Sequence, residues 1–477
     1  VGIHFPSSLM PRSLESEPPT DLTEGRARLL LVLFLVGLGL RVPGLLFGGS
    51  NDLWDGVLDW GTDVVALGLP QAFGRAYGVF SFALFGLAAR LAEEVPRFWW
   101  LPYKAMVIAF EAGVLLALLR IVRPAVRRTV LFAYWLNPWF IWHGAYQGFW
   151  EGPPLLFGLL AVLALKARPD WRGWMLAGAL LFISGEFKPQ GWIHFGAPLG
   201  VFLACEWWRG RTTSLQGFLA GFGTATLITG GWLWAGGASP WALADNLRTV
   251  LVTQPWLSNG GPGLWRFVSY ISMQAQGISG EVFLWRIAPP WLLAVSGVVT
   301  IVLAALFVAF ARSLSSSGKA PASAAYLLIT FGALAVSQFG LRAHLNHTYA
   351  ALVLLIPLVI ERRRWLVAWG SMLAVVALAH VSSYGMGSPA LLPPDALLAR
   401  YGHAGALAAA VKRVPAFVSP DLLIQWQIRI NATLMGLVSH QTVSLLSAGV
   451  FAAACILASG LLSMARRGPD TDDSPRA

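Results

Sequence analysis

The chain has 477 residues, of which 56% are hydrophobic and only 12% are charged, and its formal net charge at pH 7 is +11. So few charged side chains cannot cover a globule of this length in water, which excludes a water-soluble protein. The positive charge lies in short arginine clusters between apolar segments, which indicates membrane topology and argues against a nucleic-acid-binding face.

Apolar runs recur along the chain, for example at 28–47, 214–237, 289–311 and 442–464. Each is long enough to cross roughly 30 Å of hydrocarbon as a helix, and the alternation typical of barrel strands is absent. Together these runs predict an all-α polytopic membrane protein with a bundle of about 12 transmembrane helices.

Arginine and lysine clusters set the predicted orientation, because cytoplasmic loops hold an excess of these residues. All clusters fall inside if segment 77–92, which is short and followed by charged residues, forms a juxtamembrane helix on the outer face. The resulting topology in the cell (inner) membrane has both termini in the cytoplasm. Its two longest outer loops lie at 48–101 and 386–438.

Ionisable side chains gather in the predicted outer loops. The loop 48–101 begins with several aspartates, and the loops 146–151, 186–190 and 341–347 add an acid, a lysine, an arginine and two histidines. Composition alone does not require this clustering. Acids, bases and phosphate-binding cations therefore share the predicted extracytoplasmic side.

Four stretches carry a family resemblance. They are SNDLWDGVLDW in the first outer loop, LNPWFIWHGAYQGFWEG with its Asn-Pro step and later acid, FKPQGW with a Lys-Pro-Gln step, and RAHLNHTYAALVLLIPL with a His-x-Asn-His element. In this order they resemble the GT-C glycosyltransferases that use polyprenyl- or dolichyl-phosphate sugars. The likeness spans residues 27–361 and points to bacterial polyprenyl-phosphate-mannose-dependent mannosyltransferases and GPI-mannosyltransferase-like relatives.

The resemblance implies an inverting, metal-independent transfer of a sugar, with mannose favoured, from a polyprenyl-phosphate-linked donor. The implied acceptor is an extracytoplasmic glycolipid or glycan, the other partners are membrane lipids, and neither a cofactor nor nucleic acid is expected. The chain departs from the family pattern in placing Gln147 before Gly148, in Glu151 where Asp is common and in Leu345 where many relatives have Glu. Glucose, galactose and arabinose therefore stay open as donor sugars.

The same resemblance predicts a division of the chain into four parts. Residues 26–361 would form the GT-C-like catalytic core, and 362–467 would add C-terminal helices around the loop 386–438. Residues 1–25 are expected to be a disordered cytoplasmic tail, and 468–477 a second cytoplasmic tail.

Three carboxylates are the catalytic candidates. Asp52 is expected to be the base that deprotonates the acceptor hydroxyl, because it is the first carboxylate after the first helix, and Asp55 is the second choice. Their helical spacing is equally typical of a solvated helix face. Glu151 would orient the acceptor or assist the base, or would favour the N-terminus of the next helix by its charge.

Charged and polar side chains elsewhere in the outer loops are the candidates for substrate binding. Ionisable groups at membrane depth are costly unless a counter-charge or ligand justifies them, although basic side chains also reach the interface without binding anything. A metal site is not expected, since no further ligand follows the two histidines at a suitable spacing. The candidates are Gln147, Lys188, Arg342, His344, Asn346 and His347.

Two other classes of protein fit part of the pattern. A lipid-linked-sugar flippase or transporter would also be polytopic and basic inside, although no internal repeat is present. A catalytically silent scaffold with the same fold is the second alternative.

Glu111 is the clearest ionisable group inside an apolar segment, and its spacing suggests a structural pair with Lys104. Trp150 is a candidate for stacking on sugar rings, with an interfacial role favoured.

Overall fold

The computed structural model describes residues 24–46, 49, 51–74, 77–95, 98–252, 261–277, 289–341, 344–384, 429–430, 432–433 and 436–467. The regular structure of these residues is helical, without a β-sheet. Most of the tail predicted at 1–25, the tail at 468–477 and most of the loop 386–438 lie outside the described residues.

Nineteen α-helices make up the described structure. In the first half they are α1 (Glu24–Arg41), α2 (Asn51–Trp54), α3 (Thr62–Leu67), α4 (Leu69–Ala72), α5 (Val79–Glu94), α6 (Leu101–Ile121), α7 (Arg127–Val130), α8 (Pro138–Ile141), α9 (Gly152–Ala167), α10 (Trp171–Phe187), α11 (Ala197–Trp208) and α12 (Thr212–Ala235). In the second half they are α13 (Ala242–Val252), α14 (Leu264–Ala275), α15 (Pro289–Ser317), α16 (Pro321–Phe339), α17 (Thr348–Glu361), α18 (Leu366–Tyr384) and α19 (His440–Arg466).

Five helical stretches of the described chain are long and apolar enough to cross a membrane. Two shorter apolar helices are α9 and α17. This architecture is compatible with the predicted all-α membrane protein, while the larger predicted number of spans is not confirmed. The five stretches are Ala27–Leu45, Pro290–Ser317, Pro321–Phe339, Arg363–Ser383 and His440–Arg466.

Helix α16 lies at the centre of the bundle. Within the protein, 89% of its apolar stretch is buried, whereas only 17% of the corresponding stretches of α1 and α15 is buried. The outward faces of these two helices are apolar, as Leu31 and Ile301 illustrate with exposed fractions of 58% and 70%. Such faces have no favourable contact with water, so lipid is their natural solvent.

Helix α5 covers the first predicted outer loop. It packs on the π-helical segment Asp55–Gly61, on α3 and on α10. Aromatic side chains fill the space between these elements, and Phe85 and Trp150 lie at its centre with ring centroids 5.2 Å apart. The segment that the sequence assigned to a juxtamembrane helix is therefore a helix that holds the first loop against the bundle.

The predicted pair of Lys104 with Glu111 is wrong. Glu111 accepts a hydrogen bond of 2.9 Å from the guanidinium of Arg41, which also lies 3.6 Å from the ring centroid of Trp135. Lys104 instead donates to the backbone carbonyls of Gly44 and Tyr146 at 2.7 and 2.9 Å. Both buried cations thus have partners on distant segments, which a spacing argument within one helix cannot reveal.

Glycines bring α10 and α12 together. A Cβ atom on Gly178 would lie 2.3 Å from the carbonyl oxygen of Phe218, and one on Gly221 would lie 1.7 Å from that of Met175. Real Cβ atoms do not approach backbone oxygens so closely, so the absence of side chains at these positions permits the helix contact.

We expect Gly221→Ala to separate α10 from α12 and to destabilise the protein by about 1–3 kcal/mol, as overpacking of a well-packed contact does. Gly223→Ala is the matched control on the same helix, because a Cβ atom there meets nothing within 4 Å. Thermal unfolding in detergent measures both variants. Equal loss of stability in the two would contradict the close-packing argument.

Candidate functional site

Lys188 joins two carboxylates that are distant in sequence. Its ammonium forms a short ion pair with the Glu151 carboxylate, and Nζ lies 4.0 Å from Oδ2 of Asp52. The side chains of Lys188 and Glu151 are only 7% and 6% exposed, whereas that of Asp52 is 21% exposed. Asp52 is therefore the member of the group that an incoming molecule can reach.

Further donors hold the two carboxylates. Nδ2 of Asn346 donates to Oε1 of Glu151 at 2.7 Å, and the backbone N–H of Trp150 lies 3.4 Å from Oδ2 of Asp52. The Tyr77 hydroxyl also bonds to Asp52, and the Tyr77 ring centroid lies 5.0 Å from the Lys188 ammonium. Asp52 is thus fixed from three sides. We call Asp52, Glu151, Lys188 and Asn346 with these partners the acid–lysine cluster.

Glu151 does not act as a helix cap. It is the N-cap residue of α9, yet its side chain makes no capping hydrogen bond within the described structure. Its carboxylate instead accepts from Lys188 and Asn346. Glu151 thus lies at a helix N-terminus, as the structural alternative predicts, and its carboxylate also bonds to two side chains of other segments.

The two histidines flank a single 3-10 turn, Leu345–His347, of which His344 is the N-cap and His347 the last residue. Nδ1 of His347 accepts from the backbone N–H of His344 at 3.1 Å. Nε2 of the same ring lies 2.7 Å from Nε2 of the Gln190 side-chain amide. Nδ1 of His344 forms a short contact with Oδ1 of Asn346, which connects the turn to the acid–lysine cluster.

Irregular backbone lies next to most residues of the acid–lysine cluster. The π-helical segments Asp55–Gly61, Trp142–Tyr146 and Gly191–Gly196 begin or end within a few residues of Asp52, Glu151 and Lys188. π-Helical turns are rare and occur frequently at functional sites. Non-helical backbone at membrane depth is tolerated where it is buried in protein or lines a cavity. This irregular backbone is thus more typical of a functional site than of a regular membrane-spanning helix.

Burial controls the protonation of the site. It raises the pKa of Glu151 above the usual value of 4.5, and the neighbouring Lys188 opposes this rise. Burial also lowers the pKa values of His344 and His347 below 6.5. Both imidazoles are therefore neutral at pH 7 and can donate hydrogen bonds, and Lys188 supplies the positive charge.

The structure brings most of the predicted site residues together. Asp52, Glu151, Lys188, Asn346 and the two histidines form a continuous chain of contacts. Asp55 opens the π-helical segment that follows α2, and the ion pairs of Lys188 are with Asp52 and Glu151. Gln147 is fully buried with its carbonyl close to Gly49, and Arg342 lies outside the described residues.

Sequence reasoning missed two members of the site. Gln190 was visible as the third residue of the Lys-Pro-Gln step and could have been proposed from that position. No sequence pattern around Tyr77 indicated a role at the site, because only the packing of α5 and α10 brings it to Asp52 and Lys188. Trp150 is fully buried among aromatic rings, so its indole face is covered by protein, in place of either the favoured interfacial position or the alternative of stacking on a sugar.

No protein-family model matches this chain, and no curated protein matches it. The fold and the site define a helical protein of membrane type with a buried, half-open cluster of charged groups. The function is therefore argued from the residues of the four stretches and from their geometry.

We expect wild-type stability to fall as the pH rises from 4.5 through the raised pKa of Glu151. In that interval the native state binds more protons at Glu151 than the unfolded state, so ionisation of this carboxyl opposes folding. Glu151→Gln should remove this part of the slope, as seen in the melting temperature measured against pH. The exposed Glu93→Gln variant is the control, and an unchanged slope in Glu151→Gln would contradict the assignment.

Proposed function

We propose that this chain is a glycosyltransferase of the GT-C type, which transfers a sugar from a polyprenyl-phosphate-linked donor. The observation that carries the proposal is the position of Lys188 between Asp52 and Glu151, with Asn346 bonded to the same acid. Each of these residues comes from a different one of the four stretches that resemble the family. A resemblance of short motifs does not require that they meet, so their convergence supports a common role.

The proposed reaction needs a base at the acceptor hydroxyl. Asp52 is the most exposed of the three charged groups, and its carboxylate is oriented by the Tyr77 hydroxyl and the Trp150 N–H. As the acceptor oxygen bonds to C1 of the sugar, its proton passes to Asp52. The bond from C1 to the phosphate oxygen breaks on the opposite face, the electron pair leaves with the lipid phosphate, and the configuration at C1 inverts.

The leaving phosphate needs a counter-charge. Lys188 supplies it, and the side-chain amide of Asn346 adds a hydrogen-bond donor nearby. Glu151 would be the partner of Lys188 in the empty site, and the phosphate would compete with it for the ammonium, while Asp52 keeps its role as the base.

The remaining features belong to the same proposal. The protein would lie in the cell (inner) membrane with about 12 spans, with both termini cytoplasmic and the site outside. Mannose is the favoured sugar, and a glycolipid or glycan is the acceptor. A monophosphate leaving group carries less charge than a nucleotide diphosphate, which supports a reaction without metal.

We expect Asp52→Asn to lower the transfer rate by about 10²–10⁴-fold, the usual contribution of a positioned general base. Asp55→Asn is the matched control, one helical turn further along the same loop, and should keep most of the activity. The assay follows radiolabelled mannose from polyprenyl-phosphate-mannose into a membrane-lipid extract, using purified protein in nanodiscs with a chelator present.

Two outcomes would contradict this assignment. Loss of transfer only in Asp55→Asn would move the base to that residue. An inactive wild type with mannose, glucose, galactose and arabinose donors alike would remove the enzyme proposal. A liposome assay for movement of the lipid-linked sugar would then test the flippase alternative, and inactivity there too would leave the silent scaffold.

Lys188→Met should reduce transfer by about 10²–10³-fold, as loss of one preorganised electrostatic group does, even at saturating acceptor. Lys188→Arg should recover part of the activity, because it restores the positive charge. Melting temperatures must be measured alongside, since an unpaired buried Glu151 also costs stability. Full activity of a folded Lys188→Met protein would rule out a role at the phosphate.

A further inference from the structure

A cavity is connected to the acid–lysine cluster through Tyr77. It has a volume of about 410 Å³ and lies between α4 and α13, with the turn after α12 closing one side. Its polar lining includes Gln71, Ser239 and Asp245. No residue of this cavity was among the site residues predicted from the sequence.

Asn246 is the buried anchor of this cavity. It is only 4% exposed, and its Nδ2 donates to the backbone carbonyl of Tyr77 at 2.9 Å. Its Oδ1 is also buried, and it has no hydrogen-bond partner in the part of the chain that the structure describes. A buried polar atom without a partner is costly, so a ligand that donates a hydrogen bond would offset a cost of the empty site.

The lining favours a neutral ligand rich in hydroxyl groups. Among the described residues that line the cavity, Asp245 is the one ionisable side chain, so no cation is present to hold a phosphate or carboxylate. Amide, hydroxyl and carboxylate groups can all bond to sugar hydroxyls, and the ring of Phe73 supplies an apolar surface for the face of a sugar. The volume is also in the range of small-molecule pockets.

Tyr77 connects the cavity to the proposed base. Its carbonyl binds Asn246 in the cavity wall, while its hydroxyl bonds to Asp52 and its ring contacts Lys188. The next residue, Gly78, fits tightly against α10, because a Cβ atom there would lie 2.1 Å from the carbonyl oxygen of Glu186. The position of Tyr77 is therefore set by both neighbours, and one residue separates the two sites.

We infer that this cavity binds a neutral sugar unit of the acceptor, with Tyr77 between that unit and Asp52. This inference rests on the proposed function, since it names the part of the glycan or glycolipid that the enzyme would recognise. It adds a binding site of its own, which can be tested without any transfer reaction. Asn246 and Asp245 provide the hydrogen bonds, and Tyr77 aligns the site with the base.

Direct binding of simple sugars tests the inference. Saturation-transfer NMR on the full chain in nanodiscs would use the methyl α-glycosides of mannose, glucose and galactose at millimolar concentration. Ala242→Phe fills the cavity from the start of α13 without removing a hydrogen bond, and Ala244→Phe places the same ring on an exposed position of that helix. Gln71→Ala at the exposed rim is a second variant with little risk to folding.

We expect a signal from at least one glycoside with wild type, Ala244→Phe and Asp52→Asn. Ala242→Phe should weaken binding by about tenfold or more, and Gln71→Ala should weaken it less. Equal binding by both phenylalanine variants, or no binding of any glycoside to wild type, would overturn the inference. Loss of transfer in Asp52→Asn is read separately, so failure of the sugar site and failure of the proposed enzyme remain distinct.

Discussion

The buried positive charge of Lys188 is the constraint on which the site depends. An ammonium group that is only 7% exposed is tolerated in an apolar surrounding only beside a counter-charge and further hydrogen bonds. Glu151 supplies the counter-charge, and Asn346 and Asp52 complete the surroundings. Segments around residues 52, 151, 188 and 346 must therefore meet, and the helices between them are arranged to allow it.

The same rule operates a second time in the bundle. Arg41 and Lys104 are fully buried, and each bonds to partners on other segments: Glu111 for the arginine, and the carbonyls of Gly44 and Tyr146 for the lysine. These contacts fix the end of α1 against α6 and the π-helical segment Trp142–Tyr146. The segments next to the acid–lysine cluster are therefore themselves held together by a buried ion pair and by hydrogen bonds.

Among the described residues of the site, Lys188 is the cation that would meet a phosphate, and Asn346 is a neutral donor beside it. One positive charge suits a monophosphate leaving group better than a more highly charged one. Tyr77 lies between this cluster and the cavity around Asn246. Recognition of the acceptor would then involve the backbone of Tyr77, and orientation of the base would involve its side chain, so that one residue would connect the two.

The sequence by itself predicted a membrane environment and helical secondary structure, because composition and the length of apolar runs can be read from neighbouring residues. It also identified Asp52, Glu151, Lys188, Asn346 and His347, since polar side chains in an apolar chain are conspicuous. Only the tertiary structure decided the partners: Glu111 pairs with Arg41, 70 residues away, and Asn246 binds Tyr77, 169 residues away. Such contacts depend on how helices pack, which the period of one helix does not encode.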